Sequence, residues 1–159
     1  MASPQSYILT RSNNTTEKEA LSYLISQDSD FILLDKESRI KLMSMFNLNS
    51  SFYRAFDLIY IKNSKDNNSI TIDDIDNIIF VELKTTKKYL PNNPHGFFFG
   101  ATKNEFDLAE KLGEKYKFCF VSLHENSLSY SLLTIPELED MIKTKRIQYQ
   151  INLRTKIAQ

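Results

Sequence analysis

Two short apolar segments of the chain each carry charged residues at one end. Asp57 lies near the start of the apolar segment 56–61, and Glu82 and Lys84 follow the apolar run 78–81. Because side chains alternate between the faces of a strand, Glu82 and Lys84 project to the same side. Pairing of the two strands would bring Asp57 to the same point. The pattern predicts two carboxylates beside one lysine.

These residue types suit metal-assisted hydrolysis of a phosphodiester. Mg²⁺ keeps several waters and takes one or two protein carboxylates as ligands. A bound Mg²⁺ polarises a phosphoryl oxygen and lowers the pKa of a bound water. We therefore expect Asp57 and Glu82 to bind Mg²⁺, with Mn²⁺ able to substitute, and no small-molecule cofactor. Lys84 would orient the water or offset the charge that develops on the phosphate.

A solvent-facing salt pair is the ordinary alternative for Glu82 and Lys84. The four apolar residues at 78–81 argue against it, because they indicate a strand covered on both faces. Charges at the end of such a strand are costly unless they are paired or bind a metal. The sequence therefore favours the metal site.

A further carboxylate comes from a helix predicted from Thr16 to about Ser26. Thr16 and Glu19 match a capping box, which accounts for Glu19. Glu17 instead lies on the side that the apolar stripe of this helix turns to the core. Two interpretations of Glu17 stay open: an acidic residue favoured by the helix dipole, or an active-site residue.

Composition indicates one globular domain over residues 1–159. The chain is 42% hydrophobic and 25% charged, and it is long enough to bury a core. Its one cysteine, Cys119, excludes an intrachain disulfide and is expected to be a small buried hydrophobe. No apolar run approaches the length of a membrane span, and the start lacks a signal-peptide pattern. We expect cytoplasmic residence and no membrane partner.

Charge is distributed unevenly along the chain although the net charge is zero. Residues 28–82 hold ten acidic and six basic residues, whereas residues 141–159 hold five basic residues and no acidic one. A basic segment beside an acidic metal site suits the binding of a phosphate backbone over a cation. The same pattern is also typical of a solvated terminal segment.

The remaining elements are predicted to form an α/β core, with a mixed sheet flanked by helices. We expect a polar lead-in at residues 1–14, a core over about 15–135, and a basic helix and strand at 136–159. Acidic residues at 73–76 are expected to lie in a solvated turn, because they lack the Gly and distal Glu of a calcium loop. The predicted strands are 31–34, 56–61, 78–86, 97–99, 116–123, 128–134 and 146–154, and the further helices are 39–46, 103–112 and 136–143.

Exposed polar residues between these elements are candidates for substrate binding. The two-proline loop 87–96 can present Lys87, Lys88 and His95 to a substrate backbone. Lys103 and Asn104 begin the next helix and are of the types that read base edges. In the same helix Thr102 and Glu105 match a capping box, and Gly113 is its expected stop. Most such loops are only connectors, and His95 is otherwise a surface residue.

The order of these elements resembles the PD-(D/E)xK nuclease superfamily, whose core is a restriction endonuclease-like mixed sheet with the site at one sheet end. Segment 56–123 is also similar to the family named for the C-terminal region of the plant protein NO VEIN. That similarity rests on Glu82-Leu83-Lys84-Thr85-Thr86, Phe97-Phe98-Phe99, Thr102-Lys103-Asn104-Glu105 and the aromatic strand at 116–121.

The resemblance implies roles for four residues. Asp57 and Glu82 would be metal ligands, Lys84 the catalytic lysine, and Glu17 the auxiliary helix acid. It implies a Mg²⁺-dependent DNA endonuclease of the restriction or defence type. Because cutting both strands of a duplex needs two sites, we expect a homodimer. The alternatives are a structure-specific nuclease of the junction or repair type, and a catalytically silent nucleic-acid or protein-binding module of the same fold.

Overall fold

A five-stranded sheet with the order β1-β2-β3-β4-β5 forms the centre of the computed structural model. The structure describes residues 4–62 and 70–157, with side chains from residue 15 onward except at 72. The helices are α1 (Pro4–Gln27), α2 (Lys36–Met45), α3 (Lys103–Leu112) and α4 (Ile135–Met141), and the strands are β1 (Phe31–Ile32), β2 (Leu58–Ile61), β3 (Ile78–Thr86), β4 (Tyr116–Ser122) and β5 (Ser129–Leu133). Short 3₁₀ helices lie at Ser50–Arg54, Ile72–Asn77 and Gly113–Lys115.

Neighbouring strands are antiparallel except for the central pair, β3 and β4, which is parallel. A parallel pair needs a crossover connection, and α3 lies in it. Thr102 caps α3, and Gly113, at a φ of 59°, follows its last residue as predicted. The sheet and its flanking helices confirm the predicted α/β mixed-sheet class.

Apolar residues pack on both faces of the sheet, which explains the apolar runs in β3 and β4. Phe80 and Phe118 belong to the cluster beneath α2, α3 and α4, whereas Val81 and Cys119 belong to the cluster beneath α1. Cys119 is fully buried, as predicted. Because Glu82 and Lys84 share the face of Phe80, they enter the layer that α3 covers.

Helix α1 begins earlier than the sequence predicts, so the proposed capping box is wrong. The helix starts at Pro4, and residues 4–14, expected as a polar lead-in, belong to it. No Gly or Pro follows until beyond residue 27, so nothing interrupts the helix. Thr16 is therefore interior and buried. Glu19 instead pairs with Lys87, with 3.8 Å between Oε1 and Nζ.

The predicted strand at 97–99 is also wrong. This segment has no regular structure, and the rings of Phe97 and Phe99 each lie 5.0 Å from the ring of Phe120 in β4. Both edges of β3 and of β4 are already paired within the sheet. The aromatic segment therefore covers the face of the sheet instead of extending its edge.

The predicted strand at 146–154 does not form either, although α4 forms close to where it was expected. We call residues 143–157 the basic segment; all of them are exposed and none lies in a helix or strand. Alternation alone does not make a strand, because a strand needs a partner for its backbone hydrogen bonds.

Further differences are small. Strand β1 holds only two of the four residues predicted for it. The acidic residues at 73–76 lie in a 3₁₀ helix, where Thr71 and Asp74 form a capping box. In the part of the chain that the structure describes, no helix is long and apolar enough to cross a membrane.

Candidate active site

Asp57 is fixed against β3 at the point where the charged residues of that strand begin. Its backbone N–H donates to the carbonyl of Val81 at 2.9 Å, and its Oδ2 accepts from the N–H of Leu83 at 2.7 Å. The two bonds are made to the residues of β3 on either side of Glu82. The pairing of β2 with β3 thus brings Asp57 and Glu82 together, as the sequence predicts.

Lys84 lies between two buried carboxylates. Its Nζ is 3.1 Å from Oε2 of Glu82 and 2.6 Å from Oε1 of Glu105. Glu82 and Glu105 are each 7% exposed. The ring of Phe99 lies beside the ammonium group, with its centroid 6.0 Å away. These neighbours hold the ammonium group of Lys84 between the carboxylates of Glu82 and Glu105.

The carboxyl group of Glu82 is costly to ionise in this setting. Burial raises its pKa well above the ordinary value, Asp57 raises it further, and Lys84 opposes the change. A hydrogen bond joins the Glu82 and Asp57 side chains. Two carboxyl groups in such contact must share a proton or have a cation nearby. The pair therefore favours a positively charged ligand.

Glu17 belongs to the same group. Burial and the neighbouring Asp57, with which it shares a hydrogen bond, raise its pKa to about 7, while Arg39 and Lys84 oppose the change. Because α1 begins at Pro4, Glu17 lies in the helix interior, where a dipole at the helix start does not account for it. The structure thus brings the four predicted catalytic residues, Glu17, Asp57, Glu82 and Lys84, together where β2 begins beside the middle of β3.

Lys84 and Glu105 form an ion pair. Burial lowers the pKa of Lys84, but Glu82 and Glu105 outweigh it and the net shift is upward. Burial raises the pKa of Glu105, but Lys84 and Thr102 outweigh it and the net shift is downward. Lys84 therefore stays protonated and Glu105 stays anionic at neutral pH.

Sequence reasoning assigned Glu105 to helix capping and missed its contact with Lys84. Its Oε2 accepts from the hydroxyl of Thr102 at 2.8 Å, while its Oε1 accepts from Lys84. One carboxylate thus caps α3 and holds the lysine. The signal was available, because a crossover helix begins near the carboxyl end of the strand before it.

Arg39 is a second residue that sequence reasoning missed. Its guanidinium group donates to the carbonyl oxygens of Leu34, Phe56 and Asp57 at 3.1, 2.8 and 2.6 Å. It thereby ties α2 to the start of β2 and fixes the backbone that carries Asp57. A lone arginine in a polar helix gave no signal of this role.

The candidate substrate-binding residues lie outside this centre. Lys87, Lys88, His95, Lys103 and Asn104 are all exposed. Lys87 pairs with Glu19, and Lys103 pairs with Asp107 at 2.6 Å. These two lysines therefore bind neighbours on the helices instead of the central carboxylates. Their exposure leaves them available to a ligand at the surface.

Asp57 and Glu82 are the candidate ligands for a metal ion. Among the described residues, no group of three or more His, Cys, Asp or Glu side chains is arranged to hold a metal ion. Asp57 and Glu82 nevertheless supply two hard oxygen ligands, as many as Mg²⁺ usually takes from a protein. Their mutual contact and the raised pKa of Glu82 would be relieved by a divalent cation.

The arrangement can therefore bind a cation, present a protonated lysine beside it and supply a carboxyl group, that of Glu17, which titrates near neutral pH. These are the components of acid-base and electrostatic catalysis at a phosphate.

Protein-family models, curated proteins and solved structures were compared with the chain, and none of them matches it.

Proposed function

We propose that the protein is a Mg²⁺-dependent DNA endonuclease of the PD-(D/E)xK type. The observation that carries the proposal is the position of Lys84. Its ammonium group is held between Glu82 and Glu105, beside the carboxyl pair of Asp57 and Glu82. A lysine next to two hard oxygen ligands suits a reaction in which negative charge develops on a phosphate.

The burial of this pair argues against an ordinary surface salt bridge. The side chains of Lys84 and Glu82 are 11% and 9% exposed. Surface pairs are solvated and contribute little to stability, whereas buried charges are retained where a compensating ligand or function exists. A buried lysine held between two carboxyl groups favours a site over a structural pair.

Each residue has a separate role in the proposed reaction. Asp57 and Glu82 would hold Mg²⁺, which when bound polarises a phosphoryl oxygen and activates a water. Lys84 stabilises the charge on the phosphate, and Glu105 keeps its ammonium group in place. Glu17, with a pKa of about 7, can accept or release a proton at neutral pH.

DNA is the proposed substrate, with Mn²⁺ able to replace Mg²⁺. Exposed Lys87, Lys88 and Lys103 lie near the charged centre along the chain and can contact phosphates. Duplex cleavage requires two centres, so the active form in this proposal is a twofold dimer.

The buried, single Cys119 suits a reducing cytoplasm.

A structure-specific nuclease is the second candidate, and Phe98 favours it. This side chain is 93% exposed, whereas its neighbours Phe97 and Phe99 pack against β4. Unpaired bases stack on exposed aromatic rings. Phe98 adjoins Phe99, whose ring lies beside Lys84, so a base stacked there would place its phosphate close to the centre.

Plasmid cleavage with Mg²⁺ tests the chemistry. We expect the wild type to nick or linearise DNA, and we expect Asp57→Asn and Lys84→Ala each to reduce the rate at least a hundredfold. Chelation of the metal should abolish cutting. Asp73→Asn and Lys111→Ala change the same residue types at exposed positions and should retain full activity. Equal cutting by all variants would remove the proposal.

A substrate panel separates the two nuclease candidates. Linear duplex, branched and single-stranded DNA are compared for the wild type and for Phe98→Ala. Preference for duplex, with little effect of Phe98→Ala, supports the restriction type. Preference for branched or single-stranded DNA, lost in Phe98→Ala, supports the structure-specific type. Binding to DNA without any cleavage would support a non-catalytic module.

A further inference from the structure

The basic segment carries an apolar row that no described part of the chain covers. Ile147, Tyr149, Ile151 and Leu153 are each between 73% and 86% exposed. They alternate with polar residues, so in an extended strand all four would lie on one face. Soluble proteins rarely leave such a contiguous apolar row in water. The row therefore indicates a surface that is buried in another state of the protein.

The sheet offers one edge long enough to receive this segment. Its edge strands are β1, with two residues, and β5, with five. Within residues 4–62 and 70–157, β4 is the only strand that pairs with β5. The carbonyl of Ser129 accepts a hydrogen bond from Asn93, and the outer backbone groups of 130–133 can bond to a further strand. Addition of a strand at an open edge is a common mode of peptide binding.

The two faces of β5 match the two faces of the segment. On the α1 side, Tyr130 and Leu132 are partly exposed and pack near Tyr23, so the apolar row would continue their surface. On the other side lies α4, whose exposed Glu137, Glu139 and Asp140 would face the polar side of the added strand. That polar side begins at Arg146 and ends at Arg154, so the charges are complementary.

The segment of the same chain leads away from its own β5. Helix α4 packs on β4 and β5, but the following residues pass α3, where Nζ of Lys145 lies 5.0 Å from the ring centroid of Phe106. Phe106 contacts Phe118 in β4, inward from the sheet edge. A second copy, with the same free edge, is therefore the matching receptor.

The exposed area suits an interface between two copies. A standard interface buries ~800 Å² per partner, a little over half of it apolar. The four residues of the apolar row, together with Ile157 at 84% exposure, can supply much of that apolar share. In a reciprocal exchange each chain donates one segment and receives one, which doubles the contact and closes the assembly.

From these observations we infer that the basic segment pairs as a sixth strand with β5 of a second copy of this chain, and that two chains exchange segments in a twofold dimer. The apolar row faces the α1 side of the partner's sheet, and the arginine-bearing side faces its α4. The inference does not depend on catalysis, because the exchange requires no metal and no DNA.

Light scattering and hydrogen exchange on the full chain test the inference without DNA. We expect twice the chain mass of 18.6 kDa, and slow amide exchange in 129–133 and 146–154 that appears only at concentrations where the dimer forms. Ile151→Asp should raise the dimer dissociation constant at least tenfold and abolish that protection. Because Ile151 is exposed in the single chain, this variant should fold normally.

Leu33→Asp is the matched control, since it makes the same kind of apolar-to-acidic change at an exposed residue next to β1, at the opposite edge of the sheet. It should leave the dimer largely intact. A monomer at every concentration, equal effects of the two variants, or protection that is independent of concentration would each overturn the inference. Protection of the segment only when DNA is added would overturn it as well.

Discussion

Lys84 lies in the middle of the group of charged side chains at the candidate site. Three acidic side chains, those of Glu17, Glu82 and Glu105, interact with it, and its own pKa is raised despite burial. One lysine does not neutralise such a group. Because the pKa values of Glu17 and Glu82 are raised, these carboxyl groups keep their protons unless a further cation lies nearby, so the buried centre can accept a divalent cation.

Glu105→Gln tests whether the lysine must be held from both sides. The amide keeps the shape of the side chain but removes the charge that fixes the ammonium group at 2.6 Å. We expect kcat for DNA cleavage to fall about 10–100-fold, as for other residues that orient a metal-site group, with KM little changed. Glu110→Gln, exposed on the same helix, should leave kcat unchanged.

A pair of threonine variants distinguishes the role of Glu105 in helix capping from its role in positioning Lys84. Thr102 and Thr134 form the same capping box in α3 and α4. Thr102→Ala and Thr134→Ala should each cost about 0.5–2 kcal/mol of stability. Only Thr102→Ala frees Glu105, so only this variant should lower kcat. Equal losses of kcat would mean that Glu105 acts through stability alone.

Asp57, Glu82 and Lys84 could be placed together from the sequence because strand alternation and strand pairing fix their side. The contact of Glu105 with Lys84 was missed, because its capping role already explained its position. Arg39 gave no pattern at all, since its three partners are backbone carbonyls. Contacts to backbone leave no trace in residue types, and this sets the limit of sequence reasoning at the residue scale.

At the scale of elements, strands were predictable where a neighbour exists to pair them. Strands β3, β4 and β5 form close to the predicted ranges. The segments 97–99 and 146–154 have strand-like residues, but in the described part of the chain neither segment lies beside a free edge of the sheet. Local pattern indicates what a segment can become, and the topology of the sheet decides whether it does.

The link between β2 and the turn after α1 makes a pH-dependent contribution to stability. Tyr60 donates its hydroxyl to Oδ2 of Asp28 at 2.8 Å, and this bond, followed by burial, raises its pKa from 10.0 to about 12. Folding thus favours the protonated phenol. Its contribution is complete below pH 10 and is lost as the pH rises to about 12.

Tyr60→Phe tests this sign. Urea unfolding should show the wild type more stable than the variant below pH 10, with the difference narrowing toward pH 12. Tyr89→Phe removes a phenol hydroxyl from a half-exposed ring outside this contact and is the matched control. A gap between wild type and Tyr60→Phe that widens with pH would contradict the assigned hydrogen bond.

At the scale of the whole molecule, the centre lies where four elements converge. Helix α1 supplies Glu17, the start of β2 supplies Asp57, β3 supplies Glu82 and Lys84, and α3 supplies Glu105. If these residues bind a metal as proposed, binding would be coupled to the folding of the sheet, because the unfolded chain cannot assemble ligands drawn from separate elements. A cation should therefore stabilise the entire fold.

Thermal unfolding with and without Mn²⁺ measures this coupling. At a hundredfold excess over the dissociation constant, binding adds about 2.7 kcal/mol, which raises Tm by about 5–10 °C in a chain of this size. Asp57→Asn and Glu82→Gln should lose the shift, whatever their own Tm without metal. Asp73→Asn, exposed and outside the centre, should keep it. A shift that survives both ligand variants would place the cation elsewhere, and a wild type without any shift would leave the lysine and its carboxylates as a structural cluster.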